Sequence, residues 1–188
     1  VAIIVIDGGH GGNDVGAVGE NITEKEVVLD ISLLLYSILE NTRHTPVLTR
    51  KYDKNIPLKK RAEIANGIGA DLFISIHNNG ATNPQANGIE TWYHRNSIQG
   101  KKLAKYIQEE LIQELERSDR GIKHAGQVNW LNNDFYVLRT TNMPAVLLEI
   151  GFITNPKEEQ LLKSCQFKYL AAQSIYDGII KYLRKEAS

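Results

Sequence analysis

The chain opens on an unbroken apolar run, Val1-Ala2-Ile3-Ile4-Val5-Ile6, and passes directly into Asp7-Gly8-Gly9-His10-Gly11-Gly12. A second run, Leu72-Phe73-Ile74-Ser75-Ile76, ends in the same manner, at His77 followed by Asn78-Asn79-Gly80. Short runs that are β-rich and apolar at nearly every position belong to strands buried on both faces, the condition of a mostly parallel sheet covered by helices. Parallel neighbours require crossovers, so helices should alternate with strands. In such sheets ligands gather beyond the carboxyl ends of the strands, and both histidines fall there.

The remaining pattern extends this alternation. Strands are expected at 2–6, 45–49, 71–76, 88–93, 135–139 and 145–149, and helices at 24–39, 57–68, 97–117, 156–163 and 167–184. The helix at 24 is announced by Thr23 and Glu26, which fit a capping box. The helix at 57 has Pro57 at its first position. In the long helix from 97, Leu103, Ile107, Leu111 and Leu115 recur every four residues. The fold class is therefore α/β, a mostly parallel twisted sheet of about six strands with helices on both faces. No repeat, low-complexity tract or linker interrupts the 188 residues, so one domain spanning 1–188 is expected.

Composition narrows the chemistry. Lys plus Arg and Asp plus Glu both total 22, leaving no global field to attract nucleic acid. The densest basic stretch, residues 51–61, is expected to be a solvated helix face. Cys165 is the only cysteine. It excludes an internal disulfide and a thiolate-cage zinc, and reads as a small core residue. No run approaches the roughly 18 apolar residues of a membrane span, and the N-terminus lacks the basic region and cleavage site of a signal peptide. A start at Val1 suggests a processed or trimmed product, with flanking segments such as a targeting domain absent.

Against this background four side chains stand out. His10 sits among glycines that let the backbone approach a bound group closely, although a loop histidine can be an ordinary surface residue. The glycines match neither the dinucleotide nor the P-loop spacing. Glu24 in a first helical turn gains roughly 0.3–1 kcal/mol from the macrodipole without any ligand. His77 and Glu149 are harder to explain alone, because each closes an apolar run and a buried carboxylate costs several kcal/mol unless paired or beside a metal. A zinc ion held by His10, Glu24 and His77 accounts for these placements together, since catalytic zinc takes three protein ligands and keeps one position open. Glu149 would then be the base.

The ordered motifs carry a resemblance over nearly the whole chain. They are Ile6-Asp7-Gly8-Gly9-His10-Gly11-Gly12 with Asp14 and Gly16-Ala17; Glu24-Lys25 with Leu29; Leu48-Thr49-Arg50 with Asp53; Leu58, Arg61 and Ala65-Asn66; residues 70–79; Gly88-Ile89-Glu90; Val137-Leu138-Arg139; and residues 144–155. In these the chain resembles the zinc-dependent N-acetylmuramoyl-L-alanine amidases of the amidase-3 type, which serve bacterial cell-wall remodelling, sporulation and phage lysis. The resemblance implies one zinc per chain on His10, Glu24 and His77, with Glu149 catalytic. It implies hydrolysis of the amide between N-acetylmuramic acid and L-alanine in peptidoglycan, by a monomer acting outside the cytoplasm at the wall.

Further roles are expected on weaker grounds. Asn78, Asn79, Leu138 and Arg139 are placed against the substrate, and Arg50 and Glu90 behind the ligands, Glu90 being either a partner of a ligating histidine or a salt-bridge member. His44, His94 and His124 match no ligand position. Trp92 and Trp130 either pack or line a sugar-binding edge. Some relatives insert a helix that plugs the zinc site, but only residues 93–98 join strand and helix here, so no plug is expected. Two other readings stay open: a zinc carboxypeptidase or aminopeptidase with Arg139 as terminus partner, and a wall-binding module with a degenerate site.

Overall fold

The computed structural model describes residues 1–125 and 135–186. Its elements, in chain order, are β1 (Ile3–Gly8), α1 (Glu24–Glu40), β2 (Thr45–Leu48), α2 (Leu58–Gly67), β3 (Leu72–Asn79), β4 (Ile89–Tyr93), α3 (Ile98–Leu115), β5 (Asp119–His124), α4 (Tyr136–Thr140), β6 (Ala145–Phe152), α5 (Pro156–Lys163) and α6 (Cys165–Glu186). The strands form one sheet in the order β2-β1-β3-β6-β4-β5. All neighbouring pairs are parallel except β4 with β6. An α/β architecture with a mostly parallel sheet is thus what the apolar runs produce.

Alternation within each strand decides which layer it feeds. Ile4, Ile6, Ile74, Ile76, Val146, Leu148 and Ile150 join buried residues of α1, α3 and α6 in one core. Val5, Phe73 and Leu147 point the other way, onto Ala65 of α2 and Val137 and Leu138 of α4. Each fully buried Leu, Ile or Phe contributes about 1.5–3 kcal/mol of transfer free energy, so both faces are held and the central strands have little freedom to slip. On α1 the buried residues are Glu24, Val27, Val28, Ile31, Ser32, Leu35 and Leu39. That spacing is a single helical face, and Glu24 is its first member, so packing the apolar stripe carries a carboxylate inward. The Glu26 carboxylate accepts the Thr23 N–H at 3.1 Å and the Thr23 hydroxyl at 2.7 Å, fixing where that helix starts.

Several expectations need correction. Residues 135–139 are not a strand: Tyr136–Thr140 is the short helix α4, packed against α2. The sixth strand is instead β5, at the sheet edge and half-exposed to exposed throughout. Its polar sequence lacks an apolar run because an edge strand does not need one. β3 and β6 run past their expected ends, to Asn79 and Phe152, so His77 and Glu149 lie within strands. Pro57 is the residue before α2, not its first. Cys165 is exposed, not core. In the basic stretch Lys51, Lys54, Lys59 and Lys60 are exposed, whereas Arg61 is buried. Among the described residues no helix is long and apolar enough to cross a membrane.

Candidate metal centre

β1 ends at Gly8, and the chain then turns through His10, Gly11, Gly12 and Gly16, all at positive φ. His10 is at φ 57°, a conformation that costs a non-glycine residue about 1–2 kcal/mol. A hydrogen bond of 2.9 Å between His10 Nδ1 and Asp14 Oδ1 fixes the ring. Asp14 has its pKa lowered: burial works against the charge, but the bond to His10 prevails. An ionised carboxylate only accepts, so Nδ1 donates and Nε2 is turned inward. There it lies 3.1 Å from Glu24 Oε1. His77 enters from β3, with Nδ1 2.9 Å from the same oxygen. One donor atom from each of the three residues falls within 4.8 Å of the others. Among the described residues no other group of three His, Cys, Asp or Glu side chains converges in this way.

Glu24 is held on both sides. Its Oε1 accepts the Asn78 N–H at 3.0 Å and its Oε2 the Ala17 N–H at 2.8 Å. Burial pushes its pKa up, but hydrogen bonds and charge from His10 and His77 outweigh this and hold it well below the usual carboxylate range. His10 is raised despite burial, by the Glu24 and Asp14 carboxylates. The cluster therefore concentrates negative charge between two imidazoles, the electrostatics a cation would meet.

Glu149 arrives through the sheet. It is paired with His77 in the parallel β3–β6 register and with Glu90 across the antiparallel β4–β6 pair. Its Oε2 is shut off from solvent and has no hydrogen-bond partner among the described residues. Burial, then the charges of Glu24 and Glu90, raise its pKa well above the ordinary 4.5. Glu149, His10, Glu24 and His77 line one cleft of about 570 Å³, walled on the apolar side by Ile56, Leu58, Phe135 and Tyr136.

Two buried arginines brace this cleft, and Arg61, with Asp7, also lines it. Arg50 donates from Nε to Gly8 O at 2.9 Å and from Nη2 to Gly9 O and Lys25 O, both at 2.8 Å. Arg61 donates to Gly8 O, His10 O and Ile56 O, each at 2.7 Å, and pairs with Asp7 Oδ1 at 2.8 Å. Asp7 also accepts Thr49 Oγ1 at 2.7 Å and Ser75 Oγ at 2.8 Å. Asp7, Asp14 and Arg61 belong to the sequence motifs, but the sequence assigns them no role. A buried-looking Asp at the end of an apolar strand was the available signal.

The other candidates divide. Asn78 and Asn79 line the cleft, and Asn78 additionally donates from Nδ2 to Ile150 O at 2.5 Å. Leu138 and Arg139 do not line it. Leu138 is packed in the second core, and from that segment Phe135, Tyr136 and Val137 reach the cleft instead. A helix in place of the expected strand rotates the side chains and accounts for the exchange. Glu90 takes its salt-bridge role: it accepts Trp92 Nε1 at 3.0 Å, Arg120 Nε at 2.7 Å and Lys123 Nζ at 2.5 Å. Trp92 is buried and packs edge-on to Phe135, with centroids 5.3 Å apart. Trp130 lies outside the described residues. His44, His94 and His124 are away from the cluster.

The family model for N-acetylmuramoyl-L-alanine amidases matches residues 4–181. The chain belongs to this family. It is 40% identical over 183 residues to the N-acetylmuramoyl-L-alanine amidase LytC of Bacillus subtilis (strain 168), an alignment covering 96% of this chain and 35% of LytC. It is 36% identical over 218 aligned residues to the N-acetylmuramoyl-L-alanine amidase AmiA of Escherichia coli (strain K12), covering 96% and 75% respectively. The crystal structure of an N-acetylmuramoyl-L-alanine amidase from Clostridium difficile 630 superposes with a TM-score of 0.90 at 38% identity over 97% of both chains. The chain thus spans about a third of the length of LytC and three quarters of that of AmiA.

Proposed function

We propose that this chain is a single catalytic domain that hydrolyses the amide between the lactyl group of N-acetylmuramic acid and L-alanine of the peptidoglycan stem peptide, with one zinc ion, at the bacterial cell wall. The observation that carries the reading is the convergence of His10 Nε2, Glu24 Oε1 and His77 Nδ1 beside a buried carboxylate oxygen, Glu149 Oε2, that has no partner among the described residues, in one cleft of a chain of this family. The residues fit the metal. Two imidazoles and one carboxylate are a donor set of catalytic zinc, and Glu24 is already ionised between the two rings. Held by these three groups, zinc would supply Lewis acidity, polarising a carbonyl and acidifying water.

The chain's own residues do the rest. The Asp14 carboxylate keeps the His10 proton on Nδ1, so Nε2 is available as a donor atom. Amides of Ala17 and Asn78 hold both Glu24 oxygens, which fixes the carboxylate without neutralising it. Glu149 accepts the proton of the attacking water and delivers it to the departing alanine amine. Its burial beside Glu24 and Glu90 makes it a stronger base than a solvated carboxylate, and such proton transfer contributes roughly 10²–10⁴ in rate. Asn78 and Asn79, which line the same cleft as Ile56, Leu58, Phe135 and Tyr136, would contact the glycan or stem peptide.

The test is digestion of purified peptidoglycan with mass spectrometry of the products. The expected result is free L-alanine N-termini on released stem peptides, zinc-dependent and abolished by a chelator. Release of terminal amino acids from plain peptides would favour a peptidase. Wall binding with no zinc and no turnover would favour a binding module. Full activity after exhaustive metal removal would refute the zinc reading.

A further inference from the structure

We propose that Arg61 is a positioning residue of the metal centre, holding the His10 loop in its ligand-presenting conformation and fastening it to the cleft rim at Ile56. This rests on the metal reading above. His10 is one of two non-glycine residues at positive φ among those described, and such a conformation persists only where its surroundings enforce it. Asp14 fixes the His10 ring but not its backbone. The His10 carbonyl is held by Arg61 Nη2 at 2.7 Å.

The same guanidinium reaches Gly8 O through Nη1 and Ile56 O through Nε, both at 2.7 Å. One planar group therefore ties the end of β1, the ligand and the rim of the substrate cleft. Arg50 shares only the Gly8 carbonyl with it and reaches neither His10 O nor Ile56 O, its other donors going to the Gly9, Lys25 and Tyr52 carbonyls.

Charge does not explain the residue. A buried cation offers no attraction to a second cation nearby, and its own charge is matched by Asp7, itself locked by Thr49 and Ser75. A buried ion pair is also weak support for stability, since an apolar pair of similar volume often serves as well. What an apolar pair cannot reproduce is the directed fork of donors onto three carbonyls. Lysine keeps the charge and loses the fork, which separates the two explanations.

The experiment uses Arg61→Lys and Arg61→Met in the whole chain, with folding checked by circular dichroism and a cooperative melt. Zinc affinity of the metal-free proteins is measured by competition with a chromophoric chelator, and the visible spectrum of the cobalt(II) forms is recorded. The expected result is folded variants whose zinc affinity falls about 10- to 100-fold, with altered cobalt spectra and turnover by Arg61→Lys recovering as zinc is raised. Should Arg61→Met fail to fold, Arg61→Lys, which keeps a partner for Asp7, carries the test. A lower melting temperature with unchanged zinc affinity and cobalt spectrum in folded Arg61→Lys would overturn the proposal, leaving Arg61 merely structural. A wild-type chain with no zinc affinity would instead defeat the metal reading and this role with it.

Discussion

Gly9→Ala should abolish the metal centre while leaving the fold in place. A Cβ at Gly9 would lie 2.2 Å from His77 Cε1, 2.5 Å from Nε2 and 2.7 Å from Nδ1. Carbon atoms rest at about 3.5–4.0 Å from their neighbours, so the His77 ring must retreat by more than about 1 Å. Unlike Gly11, Gly12 and Gly16, Gly9 is not at positive φ, so alanine is compatible with the backbone. The obstruction is the end of a side chain that can rotate away, hence the modest cost to the metal-free fold. A ring displaced that far no longer meets His10 and Glu24 about one cation. Loss of one of three ligands should weaken zinc binding at least about 100-fold, or about 2.8 kcal/mol.

The assay is a thermal melt with and without zinc, with a chelator competition for affinity. Wild type in zinc at about a hundred times its dissociation constant should gain about 2.7 kcal/mol. Gly9→Ala should gain almost nothing at that concentration and should lose turnover on peptidoglycan. A Gly9→Ala protein with wild-type zinc affinity would refute the reasoning, because it would mean that His77 in its observed position is not a ligand.

Three further outcomes are expected. Glu149→Gln should retain zinc and fold but lose about 10²–10⁴ in kcat, and loss of the metal from that variant would make Glu149 a ligand instead. In the metal-free protein the raised pKa of Glu149 contributes stability that is complete below the ordinary 4.5 and is lost as pH rises through its folded value. Denaturant titrations across pH should therefore show metal-free Glu149→Gln gaining on wild type above about pH 4.5, and a pH-independent difference would contradict the burial and the Glu24 and Glu90 repulsion assigned to it. β4 ends at Tyr93 and α3 begins at Ile98, which leaves no segment there to fold over the metal, so the chain alone with zinc should hydrolyse peptidoglycan. Turnover only after addition of a partner protein would show that the cleft must first be ordered.

How much of this was legible follows from how local each signal is. The runs before His10 and His77 encode strands buried on both faces, because burying a strand on two sides requires apolar residues at nearly every position. Thr23 and Glu26 mark where α1 starts, but that Glu24 is the first member of its buried face, ahead of Val27, Val28 and Ile31, shows only once the helix is packed. The polar edge strand β5 carries no such run, and Phe135–Arg139 carries β-favouring residues that tertiary packing nonetheless winds into a helical turn. For that reason Leu138 and Arg139 do not line the cleft with Asn78 and Asn79, since a helix and a strand aim successive side chains differently.

Contacts between distant segments were set by the assembled sheet alone. Only the strand order β2-β1-β3-β6-β4-β5 lays Glu149 beside His77 and Glu90 at once, across separations in sequence that no periodicity encodes. Only the closed structure distinguishes Arg61, buried under His10, from the exposed lysines beside it in the same basic run. Residue types and their spacing determine which face of a segment seeks burial and which donor atoms a loop can offer. Which partner each group finds depends on the register and packing of elements far apart in the chain, and is settled when the two layers close on the sheet.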